Sequence, residues 1–178
     1  MKLYYIRHGK TEGNVAKNYI GQSESPLIEE GIDGAKSVAR DIIKSGEHID
    51  AMYTSRLSRQ RDTAHIIASI IGFPLEKITV TDLLLERAAG SFEGKPQSEF
   101  FSKSEEEQVA AGAESFKELA ERAVELIHLA HTHQADETVL FVGSAAIGEM
   151  LRAMIKYGDY TRMFDDGPMP NSSLIQLI

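Results

Sequence analysis

A chain of 178 residues with a formal net charge of −8, 42% hydrophobic and 26% charged residues and no cysteine is long enough for one well-formed core and has an ordinary globular composition. The missing cysteines exclude a disulfide framework, thiol chemistry and cysteine-ligated metal sites. The acidic balance argues against nucleic acid as a partner, because phosphate backbones are held by basic patches. An anionic small substrate then needs a locally positive pocket, so the placement of a few arginines says more than the total charge.

The chain opens on an apolar run, Leu3-Tyr4-Tyr5-Ile6, that stops at Arg7-His8-Gly9. Such a run reads as a buried strand delivering polar groups to its carboxyl end, where open α/β sheets put their sites. Gly9 is expected to let the backbone turn sharply there. With one lysine before it and cut by Arg7 after four residues, this stretch reads as neither signal peptide nor membrane span, which sets a cytoplasmic expectation with no membrane partner. Residues 12–19 predict a first helix and 21–26 a polar turn. Ile32, Ala35, Val38, Ala39, Ile42 and Ile43 recur at spacings of three and four, predicting an amphipathic helix over 29–45 ended by Gly46. A second strand follows at 49–55, a helix at 59–71 stopped by Gly72 and Pro74, and a third strand at 78–84. Residues 95–112 are polar and acidic, with Phe100 and Phe101 as their strong anchors, and read as a helical excursion with the character of a lid. A long helix over 114–133, a strand at 138–142, a helix at 145–157 and a closing strand at 173–178 complete the chain. Strands alternating with helices predict an α/β three-layer sandwich, a mostly parallel central sheet flanked by helices, as one domain over 1–178.

The stretch Arg7-His8-Gly9-Lys10-Thr11-Glu12-Gly13-Asn14 resembles the opening signature of the histidine phosphatase, or phosphoglycerate mutase-like, superfamily, with Arg, His, Gly, Thr and Asn at the family's spacing. The resemblance extends through Gly21, the Ser25-Pro26-Leu27 turn and Gly31. Tyr53-Thr54-Ser55-Arg56-Leu57-Ser58-Arg59 is similar to the family's second arginine segment, and Leu85-Glu86 followed by Gly90-Ser91-Phe92-Glu93-Gly94 to its acid segment. It implies a phosphoglycerate mutase-like fold and a phosphomonoester hydrolase whose partner is a small phosphorylated substrate or inorganic phosphate. The short chain favours the phosphatase branch over phosphoglycerate mutase.

The chemistry suits those residues. A transferred phosphoryl group spreads charge over three oxygens that must be stabilised in a dry site, and arginine's planar fork makes paired, charge-assisted contacts with them. Arg7 and Arg59, each soon after a strand, are expected to converge on one phosphate. His8 is the implied nucleophile, forming a phosphohistidine, kept neutral by the neighbouring arginines. Glu86 is the implied proton donor to the leaving alkoxide and later the base for water, with Glu93 as another carboxylate close by. Thr11 and Asn14 either bind phosphate or cap their helix. Arginine supplies the positive charge, so this reading calls for no metal and no cofactor.

One position departs from the family's pattern. Its second motif, a strand followed by a histidine and small residues, here reads Val139-Leu140-Phe141-Val142-Gly143-Ser144-Ala145-Ala146, and Ser144 takes the histidine's place. A serine hydroxyl still donates one hydrogen bond but brings no imidazolium charge. Losing one preorganised donor costs roughly 10²–10³ in rate, about 3–4 kcal/mol, so weak activity is expected, with a catalytically silent phosphate-binding protein as the reading from another class. His131 and His133 precede the fourth strand, at the opposite edge of the sheet from this site. Together with His128 they read as a solvated, dipole-complementing cluster rather than a metal site. Gly9-Lys10-Thr11 mimics the end of a P-loop, but that motif's first glycine falls at Tyr4. The Glu105-Glu106-Glu107 run reads as a solvated helix face.

Overall fold

In a computed structural model that describes residues 1–178, strands β1 (Lys2–Arg7), β2 (Ala51–Thr54), β3 (Thr79–Val80), β4 (Thr138–Gly143) and β5 (Leu174–Gln176) form one sheet in the order β3-β2-β4-β1-β5. The first four pair in parallel and β5 runs antiparallel along β1. The helices are α1 (Glu12–Val15), α2 (Glu29–Ser45), α3 (Ser58–Ile71), α4 (Gln97–Phe101), α5 (Glu105–Ala110), α6 (Phe116–Ala130) and α7 (Ala145–Tyr157). None is long and apolar enough to cross a membrane.

The sheet is covered on both faces, which is why β4 is an unbroken buried run rather than an alternating one. Leu3, Tyr5, Val139 and Phe141 pack with Leu119, Leu126, Ile147 and Met150 of α6 and α7. Ile6, Met52, Leu140 and Val142 pack with Val38, Ile42, Ala64 and Ile67 of α2 and α3 on the other face. Each such aliphatic side chain is worth about 1.5–3 kcal/mol against exposure. These two layers make the expected three-layer α/β sandwich. Gly46 and Gly72 end α2 and α3 in the left-handed region, at φ of 73° and 78°.

Three elements differ from expectation. The first helix stops at Val15, because Lys17 turns at a φ of 56° and the chain then pairs with residues 95–96, Tyr19 N–H donating to Lys95 O at 2.8 Å. The third strand shrinks to two exposed edge residues. Thr81 caps a 3₁₀ turn at Asp82–Leu84 instead, which turns Leu84 into the core. Segment 95–112 is helical in two short pieces, α4 and α5, and only one of its two anchors is buried: Phe100 packs on Ala89, Phe92 and Ala113, while Phe101 is 64% exposed.

From β1 the chain crosses by α2 to β2, leaving a place that β4 later fills. The carboxyl ends of β1 and β4 therefore lie side by side where successive connections leave opposite faces, the point at which open sheets form crevices. Their register pairs Arg7 with Gly143, and His8 N–H donates to Gly143 O at 2.9 Å.

Candidate active site

A cleft of about 630 Å³ opens at these strand ends, bordered by Arg7, His8, Arg59, Glu86, Ala145 and Ala146 at its base. The backbone there is packed too closely for side chains. A Cβ on Gly9 would fall 2.4 Å from Gly31 O, and one on Gly143 would fall 2.2 Å from the Tyr5 hydroxyl. Gly9 does not have a positive φ, so its role is this close approach and not the sharp turn expected. The Tyr5 hydroxyl donates to Ser144 O at 2.6 Å and fixes the first turn of α7 against β1.

His8 is buried, and its Nδ1 lies 2.7 Å from Gly9 O. A carbonyl only accepts, so Nδ1 carries the hydrogen and Nε2 keeps its lone pair, which receives Arg59 Nε–H at 3.3 Å. Burial is the first cause holding the His8 pKa well below the usual histidine value, the Arg59 charge the second and Arg7 a lesser one; the Gly9 carbonyl opposes them. The neutral imidazole expected from the arginines is thus owed chiefly to desolvation.

Arg59, the second residue of α3, is buried. Besides His8 it holds the loop before α2, donating to Gly21 O at 2.7 Å and Ser23 O at 2.8 Å. Arg7, the last residue of β1, donates through Nη1 to Met169 O, while its buried Nε has no partner. Arg59 thus touches His8 directly, while Arg7 borders the same cleft and acts on His8 through its charge.

Glu86 lies beside the start of α7, its carboxylate accepting from Ala145 N–H at 3.2 Å and Ala146 N–H at 3.1 Å. Arg122 of α6 fixes its loop by donating to Leu83 O and Leu85 O, and is itself held by the Glu114 carboxylate at 2.6 Å. Glu93 is instead bound by Gln22 N–H and the Ser23 hydroxyl, outside the cleft. Of the two carboxylates only Glu86 borders the site. Thr11 and Asn14 border the cleft and also cap α1 reciprocally, Thr11 N–H donating to Asn14 Oδ1 at 3.1 Å and Asn14 N–H to Thr11 Oγ1 at 3.3 Å.

Ser144 follows β4 at the level of His8, yet its side chain does not border the cleft. It is fully buried, and its Oγ accepts from the Gln60 amide of α3. The expected hydroxyl donor to the pocket is turned away from it. His131 bonds Ile127 O, and His133 is tied between the Tyr53 hydroxyl at 2.8 Å and Glu137 at 2.9 Å. They lie away from the cleft as expected, but His133 is a packed residue with a carboxylate partner, not a solvated one.

The profile of the histidine phosphatase superfamily (branch 1) matches residues 3–177. The chain belongs to that superfamily. Metal-independent phosphoserine phosphatase of Arabidopsis thaliana is 32% identical over 185 residues, covering 97% of this chain and 74% of its own length. A 2,3-bisphosphoglycerate-dependent phosphoglycerate mutase of Brucella canis is 30% identical over 164 residues, covering 86% of this chain and 79% of its own. Among solved structures, Bacillus stearothermophilus YhfR superposes with a TM-score of 0.86 at 26% identity over 98% of this chain and 89% of that one. A mycobacterial glucosyl-3-phosphoglycerate phosphatase complexed with VO3 has the same fold, with a TM-score of 0.84 at 23% identity over 98% and 91%. The relatives of this histidine phosphatase superfamily chain are phosphatases and phosphoglycerate mutases.

Several residues of the cleft in this superfamily member were not singled out by the sequence. Arg87 is buried with its guanidinium 4.2 Å from the Phe116 ring centre; Nε donates to Glu114 O and Nη1 to Gln108, while Nη2 has no partner. Lys103, Phe116 and Phe164 also border the cleft, together with Phe101 of the expected lid segment. Glu149 of α7 borders the cleft from a buried position, and burial is the main cause raising its pKa above the usual glutamate value. Its signal was legible, a carboxylate inside the apolar run Ile147-Gly148-Glu149-Met150-Leu151.

Proposed function

We propose that this chain is a phosphomonoester hydrolase acting on a small phosphorylated metabolite through a phosphohistidine, slowed by serine at position 144. The observation carrying it is His8: a buried neutral imidazole at the cleft, whose Nε2 accepts from Arg59 Nε–H and is released for attack when Arg59 turns to phosphate. The phosphate sits between Arg7 and Arg59, whose forks meet its equatorial oxygens. His8 Nε2 attacks phosphorus in line, the N–P bond forms as the bond to the alcohol oxygen breaks, and that oxygen takes the proton of Glu86, which enters this step as the carboxylic acid and leaves it as the carboxylate. The Nδ1–H stays on Gly9 O, which faces the positive charge that phosphorylation places on the ring. Water then loses a proton to Glu86 and attacks phosphorus, the N–P bond breaks and phosphate leaves.

Arg87, which borders the cleft with a buried, unpartnered Nη2, suits an alcohol that carries its own anionic acceptor. The Arabidopsis relative's name points to such an alcohol, serine. A mutase differs only in returning phosphate to an organic acceptor, so isomerisation of phosphoglycerate without phosphate release decides for it. The silent binding protein is favoured by one observation, the Ser144 hydroxyl held by Gln60. The deciding experiment incubates the purified chain with labelled phosphoserine and with an aryl phosphate. Phosphate release together with an acid-labile, alkali-stable phosphoprotein, both absent in His8→Ala, is expected. Tight phosphate binding with neither product overturns hydrolysis in favour of the silent reading.

A further inference from the structure

The segment after α7 returns across the strand ends as a strap. Ser172 N–H donates to Arg7 O at 3.0 Å, and the Asn171 amide donates to His8 O at 3.0 Å. Met169 is fully buried. Its carbonyl accepts from Arg7 Nη1, and its N–H donates to Glu149 Oε1 at 3.0 Å. One peptide group on each side of Met169 thus joins a carboxylate of α7 to a guanidinium of β1.

We propose that Glu149 is a positioning residue that sets the Arg7 guanidinium for phosphate through the 169–172 strap. The proposal rests on the reading of Arg7 as a phosphate ligand. Arg7 has a long side chain, and on its guanidinium the structure shows a single hydrogen bond, from Nη1, with Nε buried and unpartnered. Its aim depends on where the Met169 carbonyl stands. That carbonyl cannot be moved by exchanging residue 169, because backbone makes the contact. The one side chain that holds the Met169 amide is Glu149, and a buried amide left without its acceptor draws the strap out of register. Burying a carboxylate here is costly, as its raised pKa reflects, and the link to Arg7 gives that cost a function. Glutamine at 149 keeps an acceptor oxygen for Met169 N–H and drops the charge; alanine drops both.

The experiment measures binding of inorganic phosphate calorimetrically to the wild-type chain, Glu149→Ala, Glu149→Gln, Arg7→Ala and the Arg7→Ala/Glu149→Ala double variant. Alongside it, the Arg7 Nε–H resonance is followed by ¹⁵N NMR without ligand. Glu149→Ala is expected to weaken phosphate about tenfold and to broaden the Arg7 resonance, while Glu149→Gln binds at least as well as wild type. In the Arg7→Ala background the Glu149→Ala change is expected to have no further effect, since the guanidinium it positions is gone. Full phosphate affinity in Glu149→Ala, with Arg7→Ala weakened, overturns the positioning role and leaves the proposed function standing. Equal losses in Glu149→Gln and Glu149→Ala overturn it too, because charge and not the acceptor then matters. Unchanged binding in Arg7→Ala removes Arg7 from the phosphate site and this role with it. A variant that merely fails to fold is recognised by loss of dispersion across the whole spectrum, and Glu149→Asp, whose carboxylate stops one methylene short of the Met169 amide, then takes its place, with the same weakening expected and full phosphate affinity overturning the role.

Discussion

Replacing Ser144 with histidine tests the proposed catalytic deficit and, at the same time, the contact that occupies the serine. An imidazole beside His8 supplies one preorganised donor to the phosphoryl oxygens, worth roughly 10²–10³ in rate or about 3–4 kcal/mol of barrier. The same change takes away the acceptor of Gln60, whose amide is fully buried and whose Oε1 already lacks a partner. A buried donor stripped of its acceptor costs roughly 1–3 kcal/mol. In a chain of this size each kcal/mol moves Tm by about 2–4 °C, so a fall of about 2–12 °C is expected. Ser144→Ala is the partner experiment: it removes the same acceptor and should lower Tm without raising activity. The assay is release of phosphate from an aryl phosphate, with His8→Ala as blank, paired with thermal melts of all four proteins. Ser144→His that melts cooperatively yet hydrolyses no faster than the starting chain refutes the account of position 144.

Burial holds His8 neutral, so the unfolded chain takes up a proton near pH 6.5 that the folded chain refuses. The protein therefore keeps its full stability above that pH and loses it as pH falls, by up to about 1.4 kcal/mol per pH unit from this group. Denaturant titrations at pH 7.5 and 5.5 should show His8→Ala losing less than wild type, and equal losses contradict the assignment. Arg87→Ala is expected to raise KM for phosphoserine by about 10–100-fold relative to an aryl phosphate, the ratio cancelling any loss of folded protein. An unchanged ratio rules out Arg87 as the contact to the alcohol. Phe100→Ala, at a fully buried site, should speed amide exchange over residues 95–112 while leaving β1 and β4 protected. Phe101→Ala, at an exposed site, should leave exchange unchanged in all three, and equal effects of the two changes disprove Phe100 as the anchor.

The parts of this molecule that were legible in its sequence share a cause. Chemistry or backbone geometry demands one residue type there, and neighbours along the chain announce it. An apolar strand ending in Arg7-His8-Gly9 and the left-handed stops at Gly46 and Gly72 are of this kind. The third strand is shorter than its sequence suggests because two residues at a sheet edge gain little from pairing, and Thr81 offers the backbone a 3₁₀ turn instead. The first helix is shorter than its sequence suggests because residues 18–19 pair with 95–96, a contact with no local signature.

The same limit applies inside the cleft, where it bears on mechanism. Position 144 reads as a lost histidine, but what the serine does depends on Gln60, 84 residues away on α3. Seen from the sequence, Gln60 is only a polar residue beside Arg59. With the Ser144 hydroxyl turned to Gln60 and the first amides of α7 given to Glu86, the base of the cleft keeps two groups able to meet a phosphoryl dianion with full charge, Arg7 and Arg59. Arg59 is held by two carbonyls of the 21–23 loop and by His8, whereas the Arg7 guanidinium rests on the Met169 carbonyl alone. A cleft base whose full charges are two guanidiniums depends heavily on each, and of the two, Arg7 is the one held through a second contact, between Met169 and Glu149.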